Sequence, residues 1–199
     1  MPPAAPVGAA LFLKRWLRQP FAMGAVVPSG RLLTEAMART TAAELGEHVG
    51  HVVELGAGTG EVTKALLAAG IERHRLALVE RDRELAGFLR GHFAGPQIIQ
   101  GDAAMLPGLL VANGVERVAV VVSSLPLLSL PADVVDAIVE GVFEVLPRGS
   151  ALVQFTYGPK SPVPRHLLER LSLVGTSGRR IWRNVPPAVV WTFRRRAGS

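Results

Sequence analysis

Cysteine is absent from the 199-residue chain, so a disulfide framework, thiolate catalysis and a cysteine zinc site are excluded. Long apolar runs are absent too. The longest stretch without a charge, Val118 to Ala132, has 15 residues and is interrupted by Pro126 and Pro131. A membrane-spanning helix needs about 20. No basic residue precedes the first apolar run, an order unlike that of a secretory signal, and the chain is expected in the cytoplasm. Acids are missing from residues 1–20, which hold Lys14, Arg15 and Arg18, and residues 160–199 oppose nine basic residues with Glu169 alone. Between these ends, ten basic residues meet fifteen acids, so the net charge of +6 resides at the two ends. An anionic membrane surface or another polyanion would be met there. The chain does have apolar material, 49% of its residues, which is enough for one packed domain and too much for a disordered or collagen-like chain.

Periodicity divides the chain. Val7 to Gln19 reads as a short helix with Ala9, Phe12, Leu13, Trp16 and Leu17 on one face, Lys14, Arg15 and Arg18 opposite, and Leu11 on the wrong side. Pro20 ends it, so residues 1–20 are read as an amphipathic membrane-binding helix and 21–199 as the globular domain. Three cations contribute roughly 3 kcal/mol toward anionic lipid, so apolar burial of Phe12 and Trp16 has to supply the rest of the anchoring. Ser29 should cap a helix over about Gly30 to Leu45, closed by Gly46. Strands are expected at His51–Leu55, Arg75–Glu80, Gln97–Gln100, Arg117–Ser123 and Ala151–Tyr157. Helices are expected at Glu61–Ala69, from a cap at Asp82 to about Phe93, at Asp133–Leu146 and at Val163–Leu171. The alternation predicts a parallel sheet covered on both faces, with the very apolar fourth strand in its middle. Arg179–Val185 and Ala188–Arg195, joined by Pro186-Pro187, read as two last strands forming an antiparallel edge hairpin.

Gly56, Gly58 and Gly60 directly follow the first strand, permitting a tight turn and close approach of a ligand to the backbone. A nicotinamide dinucleotide loop reads G-x-G-x-x-G. Here Glu61 stands where its third glycine would be, and Glu54, just ahead, would repel a pyrophosphate. Glu54 suits a ligand with an amino group instead. Glu80 ends the second strand 20 residues past Gly60, the place of a ribose-binding acid, and Asp102 after the third strand can accept from the exocyclic amine of adenine. An amino acid moiety, a ribose and an adenine together describe S-adenosylmethionine.

Three acids at successive strand ends around this loop resemble the class I S-adenosylmethionine-dependent methyltransferases. The resemblance implies a Rossmann-like α/β fold with a seven-stranded, mostly parallel sheet and an antiparallel last strand. It implies a cofactor site made of Glu54, Gly56, Ala57, Gly58, Thr59, Gly60, Glu80, Arg81, Asp102, Ala103, Ser123, Ser124 and Leu125, with the segment Ser123-Ser124-Leu125-Pro126-Leu127 beside the methyl group. The rRNA adenine dimethyltransferases have a similar ELGAGTG loop but carry N-L-P-Y after the fourth strand. Ser124 and Leu127 stand here in place of the Asn and Tyr that hold a flipped base, which disfavours a nucleic-acid substrate. Gly24-Ala25-Val26-Val27-Pro28-Ser29-Gly30, Val53-Glu54-Leu55-Gly56-Ala57-Gly58-Thr59-Gly60, Ser124-Leu125-Pro126-Leu127-Leu128-Ser129-Leu130-Pro131 and Gln154-Phe155-Thr156-Tyr157-Gly158 are similar to the soluble bacterial phospholipid N-methyltransferases. Those enzymes convert phosphatidylethanolamine stepwise to phosphatidylcholine. The closely similar ornithine-lipid N-methyltransferases stay open as an alternative, and an rRNA-type RNA methyltransferase as a more distant one.

For a lipid amine the resemblance implies an in-line displacement of the sulfonium methyl, with the enzyme aligning nitrogen, carbon and sulfur. Tyr157, ending the fifth strand, can meet a methylated ammonium with its ring and orient the amine with its hydroxyl. A proton must leave the amine before transfer. Tyr157 through its oxygen, His166 and water are the candidate acceptors, and histidine is the side chain that ordinarily titrates nearest neutrality. Arg165, Arg179, Arg180 and Arg183 are candidate partners for a lipid phosphate. Together with Phe12, Lys14, Arg15, Trp16 and Arg18, Arg165 and Arg180 make the expected substrate and membrane contacts. The expected state is a monomer, peripherally bound to the inner face of the cell membrane, with no metal or nucleic acid and with S-adenosylhomocysteine as the by-product.

Overall fold

The computed structural model describes residues 28–158, 160–184 and 186–197. The segment read as an amphipathic helix at residues 1–20, with Phe12, Lys14, Arg15, Trp16 and Arg18, lies outside the described residues. Strands β1 (His51–Leu55), β2 (Leu76–Glu80), β3 (Gln97–Gln100), β4 (Val118–Ser123), β5 (Ala151–Thr156), β6 (Leu173–Ser177) and β7 (Val189–Arg195) form one sheet in the order β3-β2-β1-β4-β5-β7-β6. β1 to β5 are parallel, and β7 runs antiparallel to both β5 and β6. Helices α1 (Pro28–Leu45), α2 (Glu61–Ala68) and α3 (Arg83–His92) cover one face; α4 (Leu106–Ala112), α5 (Ala132–Val145) and α6 (Arg165–Arg170) cover the other. This is the α/β sandwich that the alternating pattern predicts.

β4 (VAVVVS) is buried at all six positions because it lies between β1 and β5 with helices on both sides. Successive residues of a strand point to opposite faces. Val52 accordingly packs with Leu66, Leu78 and Val120 under α1–α3, while Val53 and Leu55 pack with Val79, Val121 and Ile138 under α4–α6. Glu54, one residue from each, faces α2. Asp82 caps α3 as expected, its Oδ1 accepting from the N–H groups of Glu84 and Leu85 at 2.8 and 3.0 Å.

Three elements differ from the sequence pattern. α1 starts at Pro28, ahead of the expected cap at Ser29; N–H groups in a helix's first turn have no intrahelical acceptor, so a proline is tolerated there. α4 arises from a stretch, Leu106-Pro107-Gly108, that looks like a breaker, yet its proline falls in the first turn. The sixth strand is Leu173–Ser177 rather than Arg179–Val185. Gly175 inside it has no Cβ because one would lie 2.5 Å from the Phe193 ring on β7. The Arg179 region instead forms the β6–β7 connection, pinned by an isolated bridge between Ile181 and Ala188. The basic C-terminal end is also partly structural. Arg194 pairs with Glu44, and Arg195 donates to the Phe143 and Leu146 carbonyls at the end of α5.

Candidate active site

Strand order reverses between β1 and β4, and an α/β sheet binds its ligand at the carboxyl ends beside such a switch. β1 ends there in the glycine turn. The Gly56 N–H donates to the Val79 carbonyl at 2.9 Å, and the Gly60 N–H to the Ala57 carbonyl at 2.8 Å. Gly58 and Gly60 adopt φ values of 55° and 79°, in the left-handed region. They are glycines for different reasons. A Cβ on Gly60 would lie 2.4 Å from the Phe93 ring, whereas one on Gly58 would meet nothing nearer than a carbonyl oxygen at 3.9 Å. Beyond the left-handed φ that both share, Gly60 is required by packing, whereas the space beside Gly58 is open.

The expected acids are brought to this edge. Glu54 is fully buried, and its Oε2 accepts from the Thr63 hydroxyl at 2.6 Å. Its Oε1 has no partner among the described residues. Burial pushes the carboxyl up from 4.5 to about 8; the Thr63 bond opposes this, and the charge of Glu80 adds to it. Glu80 accepts from the Gly58 N–H at 2.9 Å and the Asp82 N–H at 2.8 Å, tying the glycine turn to the start of α3. About half of its acceptor capacity remains. Asp102 accepts from the Ala104 N–H at 3.0 Å, and Arg81 lies 3.7 Å from its other oxygen, on the surface. Ala57 and Ala103 are buried, Thr59 is half-buried, and the Ser123 hydroxyl accepts from the Leu125 N–H at 3.3 Å.

A second cluster lies at the ends of β4 and β5. Ser124 Oγ, Gln154 Oε1 and Thr156 Oγ1 are buried acceptors with no partner among the described residues. The Gln154 amide donates to the carbonyls of Leu125 and Phe155 at 2.9 and 3.0 Å, fixing the segment after β4. Gln154 and Thr156 join the site here, beyond the residues expected from the sequence. The signal was two polar residues in a strand that is buried throughout.

Tyr157 follows β5 at this same edge, its ring edge-on to Phe155 with centroids 5.1 Å apart. Burial pushes its phenol up from the ordinary value. His166 lies on α6, with Nε2 at 2.8 and 2.9 Å from the carboxylate oxygens of Asp136 on α5. Arg165 pairs with Glu169 at 2.7 Å on the surface of α6, and Arg180 lies over Trp182 in the β6–β7 connection. The three acids and Tyr157 thus share one edge, while His166 and Arg165 sit on the helical layer beside it.

These residues fit S-adenosylmethionine. The unpartnered oxygen of Glu54 is an acceptor for an ammonium, the backbone is open at Gly58, and Glu80 has capacity left for hydroxyls. When bound, S-adenosylmethionine supplies an electrophilic methyl on a sulfonium sulfur. Fold and site together define a class I S-adenosylmethionine-dependent methyltransferase.

Comparison with known proteins narrows the class. No protein-family model matches the chain. The ornithine lipid N-methyltransferase of Singulisphaera acidiphila is 31% identical over 190 residues, which cover 92% of this chain and 94% of that protein. A probable ribosomal RNA small subunit methyltransferase A of Halobacterium salinarum is 36% identical over 104 residues, covering 52% of this chain and 33% of that protein. In structure, the Burkholderia thailandensis 1,6-didemethyltoxoflavin-N1-methyltransferase with bound 1,6-didemethyltoxoflavin and S-adenosylhomocysteine aligns with a TM-score of 0.67 at 17% identity, over 99% of this chain and 93% of that one. The chain belongs to the family of the Singulisphaera enzyme, and its cofactor is S-adenosylmethionine.

Proposed function

We propose that the enzyme methylates the amine of a membrane amino lipid, with ornithine lipid as the favoured substrate. The observation that carries this is the match to the ornithine lipid N-methyltransferase over 92% of the chain, where the ribosomal RNA relative matches 52%. Phosphatidylethanolamine, which the motif segments around Ser124 and Tyr157 suggest, is the second substrate to test.

The chemistry of the β4–β5 cluster supports an amine. Ser124 Oγ, Gln154 Oε1 and Thr156 Oγ1 match N–H donors and bring no negative charge that would hold the amine protonated. Once the amine has lost its proton, nothing in this cluster favours its return, and the nitrogen lone pair is free for attack. Gln154 fixes the Leu125 carbonyl beside them. Tyr157 keeps its proton at neutral pH as a phenol ordinarily does, and burial pushes its titration further up, so it orients the amine rather than acting as a base, and its ring face suits a methylated ammonium. Asp136 selects the His166 tautomer with the proton on Nε2, which leaves Nδ1 to take up the proton that the amine loses.

The work is done at the cytoplasmic membrane surface, with residues 1–20 as anchor. Among the described residues no helix is long and apolar enough to cross a membrane. The test is a transfer assay with methyl-labelled S-adenosylmethionine and three acceptors: vesicles with ornithine lipid, vesicles with phosphatidylethanolamine, and total bacterial RNA. Label should enter the ornithine lipid. Label in RNA alone, or in no acceptor, contradicts the proposal.

A further inference from the structure

A groove of about 520 Å³ runs between α1 and the β6–β7 connection. Arg39 lines it from α1; Arg179, Arg180, Ile181, Trp182 and Arg183 line it from the connection. Trp182 is 69% exposed, and the Arg180 guanidinium lies 4.6 Å from its ring centroid. Ile181 is held by its bridge to Ala188 and packs against the α1-side core, so the wall is anchored. Among the described residues Arg179 and Arg183 pair with no acid. Arg39 lies 3.8 Å from Glu35, which also binds Arg31 at 2.7 Å.

The position of the groove matters as much as its charge. β7 begins at Val189, paired with Thr156 at the carboxyl end of β5, and Ser177 at the end of β6 pairs with Trp191. The connection between them therefore stands at the edge that carries Glu54, Gln154 and Tyr157. α1 leads through residues 46–50 into the amino end of β1, so its own first residue, Pro28, is at the carboxyl edge as well. The first 27 residues of the chain join the fold there, and their sequence carries Phe12, Lys14, Arg15, Trp16 and Arg18.

Guanidinium groups bind phosphate oxygens in pairs, and an exposed indole with an apolar neighbour is typical of a protein lying at headgroup level. We infer that this groove docks the enzyme on an anionic bilayer, with the phosphate of an anionic phospholipid between Arg179 and Arg183 and with Trp182 at headgroup level. This rests on the amino-lipid function proposed above and names the surface that presents the site to its substrate.

The test is co-sedimentation of the full chain with vesicles of phosphatidylcholine alone and with vesicles that also contain phosphatidylglycerol. Binding should require phosphatidylglycerol and weaken with added salt. The Arg179→Gln/Arg183→Gln double variant should bind the anionic vesicles about thirtyfold more weakly, at about fivefold per arginine. Trp182→Ala should also weaken binding, and both variants should keep the heat of S-adenosylmethionine binding, which reports an intact fold. Unchanged vesicle binding by the double variant, no binding by the wild-type chain, or a variant that loses RNA binding while keeping vesicle binding overturns the inference. A wild-type chain that docks on anionic vesicles yet methylates no amino lipid would instead overturn the proposed substrate.

Discussion

Thr63 on α2 donates its hydroxyl hydrogen to Oε2 of Glu54 at 2.6 Å and leaves Oε1 without a partner among the described residues. One oxygen of a fully buried carboxyl is thereby fixed while the other stays available. Burial holds the group near a pKa of about 8, so it carries a proton at neutral pH before any ligand arrives.

An incoming ammonium favours the carboxylate, so cofactor binding should expel that proton. Affinity for S-adenosylmethionine should rise with pH toward about 8. Calorimetry near pH 7 in buffers of different ionisation heat should register proton release. Glu54→Gln should abolish the release and weaken binding roughly tenfold to a hundredfold, the loss of a charged hydrogen bond worth ~1.5–3 kcal/mol.

Stability of the cofactor-free protein should move the other way. The folded carboxyl titrates near 8 and the unfolded one near 4.5, so between these values the folded state holds more protons. This contribution is fully present below 4.5 and is lost as pH rises toward 8. Urea unfolding at pH 5 and pH 8 should show the decline, and Glu54→Gln should flatten it.

The glycine turn separates packing from binding. Gly60→Ala drives a methyl into Phe93 and should destabilise the fold by ~1–3 kcal/mol, seen as a lower melting temperature. Gly58→Ala meets open space but is strained at a φ of 55°, so melting should fall by a smaller amount and cofactor binding should weaken as well.

Gln154→Leu removes the donor that holds the Leu125 carbonyl and the acceptor beside Ser124. Turnover should fall at least tenfold while cofactor affinity changes less than threefold, because the glycine turn and Glu54 are untouched. Equal losses in both would assign Gln154 to structure alone.

Tyr157→Phe and His166→Ala should each lower turnover with cofactor affinity nearly unchanged. Removing Tyr157 should scale the pH profile without moving it, since its phenol, pushed up by burial, stays protonated across the working range. Full rate in both variants contradicts both assignments.

The sequence made legible the features that repeat or that sit at fixed places. Strand-helix alternation gave the parallel sheet, and Glu54, Glu80 and Asp102 stood out because they stand at or near the ends of three successive strands. Thr63 left no mark, because a threonine on a helix looks like any other until β1 is laid beside it. β6 was hidden for a similar reason. Its glycine is required by the Phe193 ring across the sheet, a contact that no local pattern encodes, while Arg179 to Val185 alternates enough to imitate a strand. Gln154 and Thr156 were visible as residues but not as unpartnered acceptors, which only burial reveals.

The most direct measurement is mass spectrometry of total lipids from a bacterial host that makes both ornithine lipid and phosphatidylethanolamine, with and without this enzyme. Ornithine lipid heavier by whole methyl increments, absent with the Glu54→Gln variant, is the expected result. A lipid profile identical with and without the enzyme, alongside newly methylated ribosomal RNA, would contradict the account.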